Sequence, residues 1–448
     1  MKIGGAVLLT GIVAFLFFAL ALTQATPKSP PVNPGWMLVG SFAGAQVRNQ
    51  FVSVREFGAK GDGVSDDTSA IQAAIDSVPD GTTIRFPDGT YIAANFRVKN
   101  RTGLSFIGDG RNSVIKQKDG AERIATFDRS ADIVIQKLAF DANGKVSYGG
   151  VGFYAVRQVL VEDCWFWDSA PKPVGRADRY SMFFGRGGIP SRDIQIINNV
   201  IEDLQLEVNH SQNVVIDRNI VKRAVKTAGI GIFTVGNGAI AEDYRMTNNT
   251  VVDAMGAGFS VGLDPPSDRD CIFKRITIAN NQIIHSNVAA FGVRLGTGNS
   301  SRPTTGNVFE DIVIKNNRIH VVAGAPQPPQ MILANSSARA GIKFDRLIVT
   351  GNTIDNDGPK NRDYAIDLRS LKNSVVANNV VNNVASGISL NGNLRANEVR
   401  DNVVEASGIA YRFEGSVGGN KVANNRVVGN AKRDWKVSNI RDSDSIER

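Results

Sequence analysis

Through its second half the sequence repeats one phrase: an aliphatic run, one or two asparagines, and a second aliphatic run. The first copy extends from Ile194 to Ile201 and has Asn198 and Asn199 at its centre. The flanking strands are short, alternate with period two and are rich in Val and Ile, whereas a helical repeat would keep an i, i+3, i+4 apolar pattern. The pattern predicts an all-β parallel β-helix. The phrase returns around Asn219, Asn249, Asn281, Asn317, Asn352, Asn379, Asn402 and Asn425.

The recurring asparagines are interpreted as an internal ladder. Successive coils of a β-helix lie about 4.8 Å apart, so equivalent residues stack directly. At a tight corner Asn tolerates the left-handed backbone conformation, and its amide can bond to the Asn one coil away. A structural role is expected because a catalytic or glycan-bearing residue need not recur in every coil.

The start of the chain predicts export. Residues 1–25 hold an uncharged apolar run and are interpreted as a signal peptide or, since about 20 apolar residues can span a bilayer, as a membrane anchor. Residues 26–50 begin with four prolines in nine residues and are interpreted as a Pro-rich linker. Residues 51–441 are expected to form the β-helix and residues 442–448 a polar tail. The predicted location is periplasmic, cell-surface or secreted; the oligomeric state is left open.

The charge limits the possible binding partners, and the cysteine content limits the possible disulfides and metal sites. The net charge of +8 and the pI of about 9.4 come from scattered Lys and Arg residues. An exported chain without a basic helix is not expected to bind nucleic acid. An acidic polysaccharide fits a positive field, although a solvated basic surface explains the charge equally well. Cys164 and Cys271 are predicted to be buried free thiols, and no Cys–His spacing suggests zinc.

The most specific segment runs from Val54 to Ser77. It predicts a strand, a Gly-rich turn and a helix capped by Ser65 or Asp66, able to cover the open end of the solenoid. The stretch Phe57-Gly58-Ala59-Lys60-Gly61-Asp62-Gly63-Val64-Ser65-Asp66-Asp67, followed by Ala70 to Ile75, resembles the opening motif of the pectate-lyase-like right-handed parallel β-helix superfamily. That group includes polygalacturonases, rhamnogalacturonan enzymes, mannuronan C5-epimerases, lyases and phage tailspikes. The resemblance implies the fold of almost the whole chain, but no single reaction.

A groove is expected over the third strand of each coil, because the longer loops flank that strand on both sides. Strand alternation sends polar side chains outward there. Carboxylates, guanidiniums and amides suit a polysaccharide groove, although such residues also pair with one another across coils. The outward residues are Glu207, Asn209, Arg294, Asp367, Arg369, Ser389, Asn391, Arg412 and Glu414.

The expected chemistry on a uronate polymer is removal of the C5 proton, which requires a base, an acid and a group that stabilises the enolate. This chemistry requires groups near Glu207 and Arg294 to converge within about 10 Å. The candidate catalytic residues are Glu207, His210, Arg294, Asp367, Arg369 and Lys145. The candidate substrate-binding residues are Arg186, Asn209, Asp264, Asn391 and Arg412.

Two of these candidates come from resemblance to the epimerases. The strand from Leu206 to His210 is similar in placement to the Asp-Pro-His-Glu strand of mannuronan epimerases, and Asp141 to Val146 resembles an epimerase segment whose catalytic lysine would be Lys145. The Pro and the matching His are absent, however, and the similar Asp264-Pro265-Pro266 lies in a loop. His285 and His320 are interpreted as coil residues.

The sequence therefore predicts an exported protein that acts on an acidic, uronate-containing polysaccharide by lyase or C5-epimerase chemistry. One alternative is a non-catalytic polysaccharide-binding or surface assembly protein linked to exopolysaccharide, and another is a purely structural solenoid. A glycoside hydrolase is a further alternative, although the polygalacturonase motifs are missing from the groove strands. No cofactor is certain. Calcium stays open because Asp367, Arg369 and Arg294 can imitate the calcium-dependent pectate lyases.

Overall fold

The structure, a computed structural model, describes residues 50–144, 150–169, 179–185, 188–234, 236–263, 268–297, 305–335, 342 and 344–447. The chain winds into stacked coils, and each complete coil gives one strand to each of three parallel faces, here called the groove, ladder and back sheets. One coil runs through Tyr180–Phe184, Ser191–Ile197 and Val200–Glu202 before Gln205–Val208 begins the next. Pairing between coils is parallel. The predicted right-handed parallel β-helix is confirmed.

The strands of the groove sheet carry the outward side chains of the candidate site. They are Phe96–Lys99, Ala125–Asp128, Val151–Tyr154, Tyr180–Phe184, Gln205–Val208, Ile230–Phe233, Ala257–Leu263, Phe291–Thr297, Ile332–Asn335, Tyr364–Arg369, Ser386–Arg395, Ile409–Gly418 and Arg433–Ser438.

The other two sheets close each coil. The ladder sheet contains Phe51–Ser53, Thr83–Phe86, Ser105–Gly108, Ala131–Gln136, Arg157–Glu162, Ser191–Ile197, Ser211–Asp217, Ile240–Thr247, Ile272–Ala279, Val308–Lys315, Phe344–Asp345, Ile348–Thr350, Leu371–Lys372, Val375–Ala377, Glu398–Arg400, Lys421–Ala423 and Ser445–Ile446. The back sheet contains Asp62–Asp66, Gly89–Ala93, Ser113–Gln117, Ala139–Asp141, Trp165–Trp167, Val200–Glu202, Ile220–Lys222, Thr250–Val252, Gln282–His285, Arg318–Val321, Thr353–Asn356, Val380–Val384, Val403–Ala406 and Arg426–Val428.

The asparagine ladder lies at the corner between the ladder and back sheets. Asn199 donates from its backbone N–H and from Nδ2 to Oδ1 of Asn219, at 2.9 and 3.0 Å. The same pair of bonds continues from coil to coil until Asn402 donates to Asn425. The structure also separates two roles that the sequence had assigned to one residue. The preceding residue, such as Asn198 with φ of 54°, takes the left-handed conformation, whereas the following Asn is buried and forms the ladder.

A second ladder, not predicted from the sequence, lies near the C-terminal end, where the chain passes from the groove sheet to the ladder sheet. The backbone N–H of Ser374 donates to Oδ1 of Asn397, and Asn397 donates from N–H and Nδ2 to Oδ1 of Asn420. Asn420 then makes the same two bonds to Oδ1 of Asp444. Asp444 and the strand Ser445–Ile446 lie within the stretch expected to be a polar tail, so the hydrogen-bonded coil continues past residue 441.

The N-terminal end of the solenoid is covered by a 3-10 helix, Val54–Phe57, and an α-helix, Thr68–Ser77. The α-helix buries Ile71, Ala74 and Ile75. Its N-cap is Asp67 rather than Ser65 or Asp66. The Asp67 carboxylate instead accepts the backbone N–H groups of Lys60 and Gly61, at 2.6 and 3.1 Å, and so fixes the Gly-rich turn.

The core is a continuous stack of inward side chains. Phe127, Phe153 and Phe184 stack on one another with ring centroids 5.0 and 4.3 Å apart. Cys164 and Cys271 are buried free thiols, as predicted. The Cys164 N–H donates to Oδ1 of Asn199, so Cys164 occupies the ladder corner one coil before the asparagines begin.

In the part of the chain that the structure describes, no helix is long and apolar enough to cross a membrane. The predicted signal or anchor at residues 1–25, and the linker up to residue 49, lie outside the described residues.

Candidate functional site

The outward side chains of the groove sheet fall into register across coils. Glu207, Arg294, Asp367 and Arg412, all predicted to face outward, share one line, here called the floor column. From the N-terminal end the floor column reads Arg97, Thr126, Gly152, Phe183, Glu207, Gly231, Ser260, Arg294, Leu333, Asp367, Ser389, Arg412 and Lys436.

The Glu207 carboxylate is held by the two outward neighbours on its own strand. Gln205 Nε2 donates to Oε1 at 2.9 Å, and Asn209 Nδ2 donates to Oε2 at 3.0 Å. Glu207 is 5% exposed, and both amide residues are 1% exposed. Asn209 is fixed in turn, because its Oδ1 accepts the backbone N–H of Phe233 at 2.6 Å. The orientation of the carboxylate is therefore set by groups that are themselves buried.

His210 lies just after the same strand in a left-handed conformation, with φ of 42°. Its Nδ1 accepts the backbone N–H of Ile240 at 3.0 Å, which places the hydrogen of the neutral ring on Nε2. Burial lowers the pKa of His210, although the Gly188 carbonyl opposes the shift. His210 is thus a neutral ring that joins two coils at the turn after Asn209, and its Nδ1 is occupied.

Arg294 lies three coils away from Glu207 along the floor column, through Gly231 and Ser260. This separation is about 14 Å at the backbone. The Arg294 Nε donates to Ser260 Oγ at 3.2 Å, so its side chain reaches one coil towards Glu207. The ring of Phe233 lies over Gly231, where an added Cβ would be 2.3 Å from Cε2. Glu207 and Arg294 therefore flank a small apolar cover and do not share one polar cluster, and the expected convergence within about 10 Å is not found between their backbones.

Three predicted residues do come together near the C-terminal end. Arg369 donates from Nε and Nη2 to Asp367 Oδ2 at 3.2 and 2.8 Å, and Asn391 Nδ2 donates to Oδ1 at 2.9 Å. Two coils after Asp367, Arg412 binds Glu414, which holds the pKa of that carboxyl below its usual range. Here the outward residues pair with one another, as the alternative interpretation expected.

The donors near Asp367 do not suit calcium. Both oxygens of Asp367 accept hydrogen bonds from Arg369 and Asn391, and Asp367 is 3% exposed. Among the described residues no three His, Cys, Asp or Glu side chains are grouped to hold a metal ion. The set of Asp367, Arg369 and Arg294 does not fit a calcium site. Three further candidates, Lys145, Arg186 and Asp264, lie outside the described residues.

Sequence reasoning missed a pocket of about 400 Å³ at the N-terminal end of the groove sheet. Its walls include Arg97, Lys99, Arg123 and Tyr154. The outward alternation of Arg97 and Lys99 on Phe96–Lys99 was a usable signal, because these two residues begin the outward lines of the groove sheet.

Comparison with known proteins supports the fold. Residues 51–143 match the model of the rhamnogalacturonase A/epimerase, pectate lyase-like family. Alginate lyase 7 of Azotobacter vinelandii is 36% identical over 119 residues, which are 23% of this chain and 14% of that protein. Mannuronan C5-epimerase AlgE2 of the same organism is 29% identical over 240 residues, 47% of this chain and 22% of that protein. The matched parts thus span less than a quarter of either relative.

A solved structure extends the likeness of fold along the chain. The surface adhesin PfbA of Streptococcus pneumoniae superposes with a TM-score of 0.57 at 17% identity, covering 82% of this chain and 91% of that chain. Taken with the described coils, these matches identify the protein as a right-handed parallel β-helix whose residues 51–143 match the pectate lyase-like family model.

Proposed function

We propose that this protein acts on an acidic, uronate-containing polysaccharide that lies along the groove sheet, by removing the C5 proton of a uronate unit. The observation that carries the proposal is the position of Glu207, whose carboxylate lies in the floor column with one amide donor on each oxygen. Abstraction of a proton requires a base held in a fixed orientation. Arg97 and Arg294 lie in the same column on either side and supply charge for the carboxylates of the polymer.

Two products can follow from the same first step. When Glu207 takes the C5 proton, the electron pair of the C–H bond is delocalised into the uronate carboxylate. Expulsion of the C4 oxygen, which takes a proton from solvent water, forms a C4–C5 double bond and breaks the chain. Transfer of a proton from solvent water to the opposite face of C5 instead inverts that carbon. In either case Glu207 gives its proton to the hydroxide that is left. The alginate lyase and mannuronan epimerase names of the two relatives support these two outcomes.

A second candidate function, glycan binding without turnover, is favoured by a different observation. Glu207 and Asp367 are 5% and 3% exposed, and their oxygens are engaged by neighbouring amide and guanidinium groups. A groove whose polar residues pair with one another can still bind a polyanion through its exposed cations. This function fits a surface assembly protein.

The experiment incubates the purified protein with polymannuronate and polygalacturonate in deuterated water. Ultraviolet absorbance of the unsaturated product identifies a lyase, and C5 deuterium exchange without absorbance identifies an epimerase. New reducing ends without either signal identify a hydrolase and overturn the C5 proposal. If all three stay silent while affinity electrophoresis shows retardation, the binding function replaces the catalytic one.

The matched variants are Glu207→Gln and Glu162→Gln. Glu162 also accepts an amide hydrogen bond, from Gln136 Nε2 at 2.7 Å, but it lies on the ladder sheet. Loss of a general base lowers kcat by about 10²-fold or more, so E207Q should lose turnover while E162Q keeps it. Full turnover by E207Q would show that Glu207 is not the base.

The proposed site of action is outside the cytoplasm. The apolar stretch within residues 1–25 supports export, and mass spectrometry of the protein recovered from its native cells tests whether this stretch is removed.

A further inference from the structure

The pocket at the N-terminal end of the groove sheet brings charges of both signs together. Arg97 and Thr126 supply its part of the floor column, while Lys99, Asp128 and Tyr154 lie in the next outward line. With a volume of about 400 Å³, the pocket falls in the size range of small-ligand sites.

Arg123 is the most constrained cation in this pocket. Its residue is 7% exposed, its guanidinium lies 5.6 Å from the centre of the Tyr154 ring, and Nη1 donates to the Tyr154 hydroxyl. Nη2 lies 3.2 Å from Glu122 Oε1. Gly152 makes this position available, because an added Cβ would be 2.3 Å from Arg123 Nη1. The guanidinium thus rests against the bare backbone of the groove strand in a fixed orientation.

Arg97 and Lys99 differ from Arg123 in being exposed. They alternate with the buried Phe96 and Val98, so both side chains point out of the sheet. Within the described ranges neither side chain enters an ion pair. The pocket therefore presents two cations that form no close ion pair in the described part of the chain, beside a third that is held against Tyr154.

We infer that this pocket is a subsite for one uronate unit, a step that rests on the proposed function. The three cations match the sugar carboxylate, and Glu122 and Asp128 can accept bonds from its hydroxyl groups. Thr126 lies three coils from Glu207 in the floor column, about 14 Å at the backbone. The pocket therefore binds a unit remote from the reacting one and positions the polymer.

The mixture of charges selects among ligands. A neutral sugar would leave Arg97 and Lys99 without a close ion-pair partner, and a sulfate or phosphate ion, which carries acceptor oxygens on every side, would face Glu122 and Asp128. A uronate satisfies both the cations and the carboxylates of the pocket, because it carries one carboxylate and several hydroxyl donors. The assigned ligand class is thus a hexuronate and not a simple anion.

The test uses saturation-transfer NMR and titration of the full chain with sodium D-mannuronate and sodium D-galacturonate, with D-mannose and sodium sulfate as comparison ligands. Charge reversal in K99E or R97E should weaken uronate binding at least tenfold, since a charge-assisted hydrogen bond is worth about 1.5–3 kcal/mol. The control is R245E, which reverses an exposed charge on the ladder sheet. Binding of D-mannose or sulfate as tight as that of the uronates would overturn the assignment, as would unchanged binding in K99E and R97E.

The polymer reaction separates this inference from the proposed function. In K99E the KM for polymer should rise at least fivefold while kcat stays within twofold, because a remote subsite contributes uniform binding. E207Q should keep its uronate affinity and lose kcat. Uronate binding without turnover by the wild type leaves the subsite standing and removes the C5 chemistry. Turnover with an unchanged KM in both pocket variants would remove the subsite and leave the C5 chemistry standing.

Discussion

The side-chain amide of Gln72 pairs with the backbone of Arg97 as a neighbouring strand would. The Arg97 N–H donates to Gln72 Oε1 at 2.8 Å, and Gln72 Nε2 donates to the Arg97 carbonyl oxygen at 3.1 Å. Arg97 lies on Phe96–Lys99, which pairs with Ala125–Asp128 on one side only. The α-helix thus satisfies the open edge of the groove sheet with one side chain and fixes the first residue of the floor column.

Replacing this amide should loosen the first groove strand. In Gln72→Ala, Arg97 loses both partners, and we expect the free energy of unfolding to fall by about 1 kcal/mol because the edge is partly exposed. Hydrogen exchange of the Arg97 amide should accelerate at least fivefold. The control is Asp76→Ala, which removes the 2.9 Å bond between Gln72 Nε2 and Asp76 and leaves the Arg97 bonds in place. Unchanged exchange at Arg97 in Q72A would contradict the pairing.

A mid-ladder asparagine should matter more than a terminal one. Asn317→Ala removes the acceptor of the Asn281 N–H and the side-chain donor to the Ile278 carbonyl inside the buried corner, while Asn281 Nδ2 keeps its bond to the Met246 carbonyl. Each orphaned buried group costs about 1–3 kcal/mol, so we expect a loss of at least about 2 kcal/mol in urea unfolding. Asn425→Ala, at the half-buried last rung, should cost about 1 kcal/mol because water reaches the freed groups. Equal losses would show that the ladder does not act through burial.

The two ladders show which part of the fold the sequence makes visible. The asparagine ladder could be predicted because one residue type recurs between strands of fixed pattern. The second ladder could not, since Ser374, Asn397, Asn420 and Asp444 share a hydrogen-bonding position rather than a residue type.

The candidate site, like the ladders, could be predicted from the sequence only in part. Period-two alternation was enough to place Glu207, Arg294 and Asp367 outward on one sheet, and the register puts all three in one column. Their separation depends on how many coils intervene, which a motif of one strand does not reveal. The N-terminal pocket could not be predicted from strand alternation alone, because the guanidinium of Arg123 occupies space left by a glycine in the next coil. Side-chain contacts between coils are invisible to a pattern read along the chain.

His285 should make stability depend on pH. It is fully buried, neither ring nitrogen has a hydrogen-bond partner in the described part of the chain, and burial lowers its pKa to about 4 despite the opposing charge of Asp253. The unfolded chain binds the proton near pH 6.5. Stability is therefore full above about pH 6.5 and declines as the pH falls towards about 4, by about 3 kcal/mol from this residue.

The measurement is urea unfolding between pH 7 and pH 4 for the wild type and His285→Leu. The apolar variant should lose this part of the pH slope, since it has no proton to bind in either state. His320→Gln is the control, because His320 is a partly exposed residue of the adjacent outward line, bound to Asp357. If H285L keeps the full slope, the acid sensitivity comes from other groups.

The N-terminal pocket can also be perturbed without altering any charge. In Gly152→Ala the new methyl group would be 2.3 Å from Arg123 Nη1 and 3.1 Å from the Tyr154 hydroxyl, so the guanidinium must move away from the strand. Both contacts are the ends of side chains and not backbone, so the fold should accommodate them at a cost of about 1 kcal/mol. Displacing the guanidinium by even an ångström lengthens its bonds to a bound carboxylate, and we expect uronate affinity to fall by about fivefold to tenfold.

The matched control is Gly231→Ala. Gly231 lies in the same floor column, and its added methyl group would meet a side chain, the Phe233 ring, at the same 2.3 Å, but it lies three coils from Gly152. Titration with sodium D-mannuronate should therefore show weaker binding in G152A and wild-type binding in G231A. Equal affinities in the wild type and G152A would mean that the position of Arg123 does not determine binding.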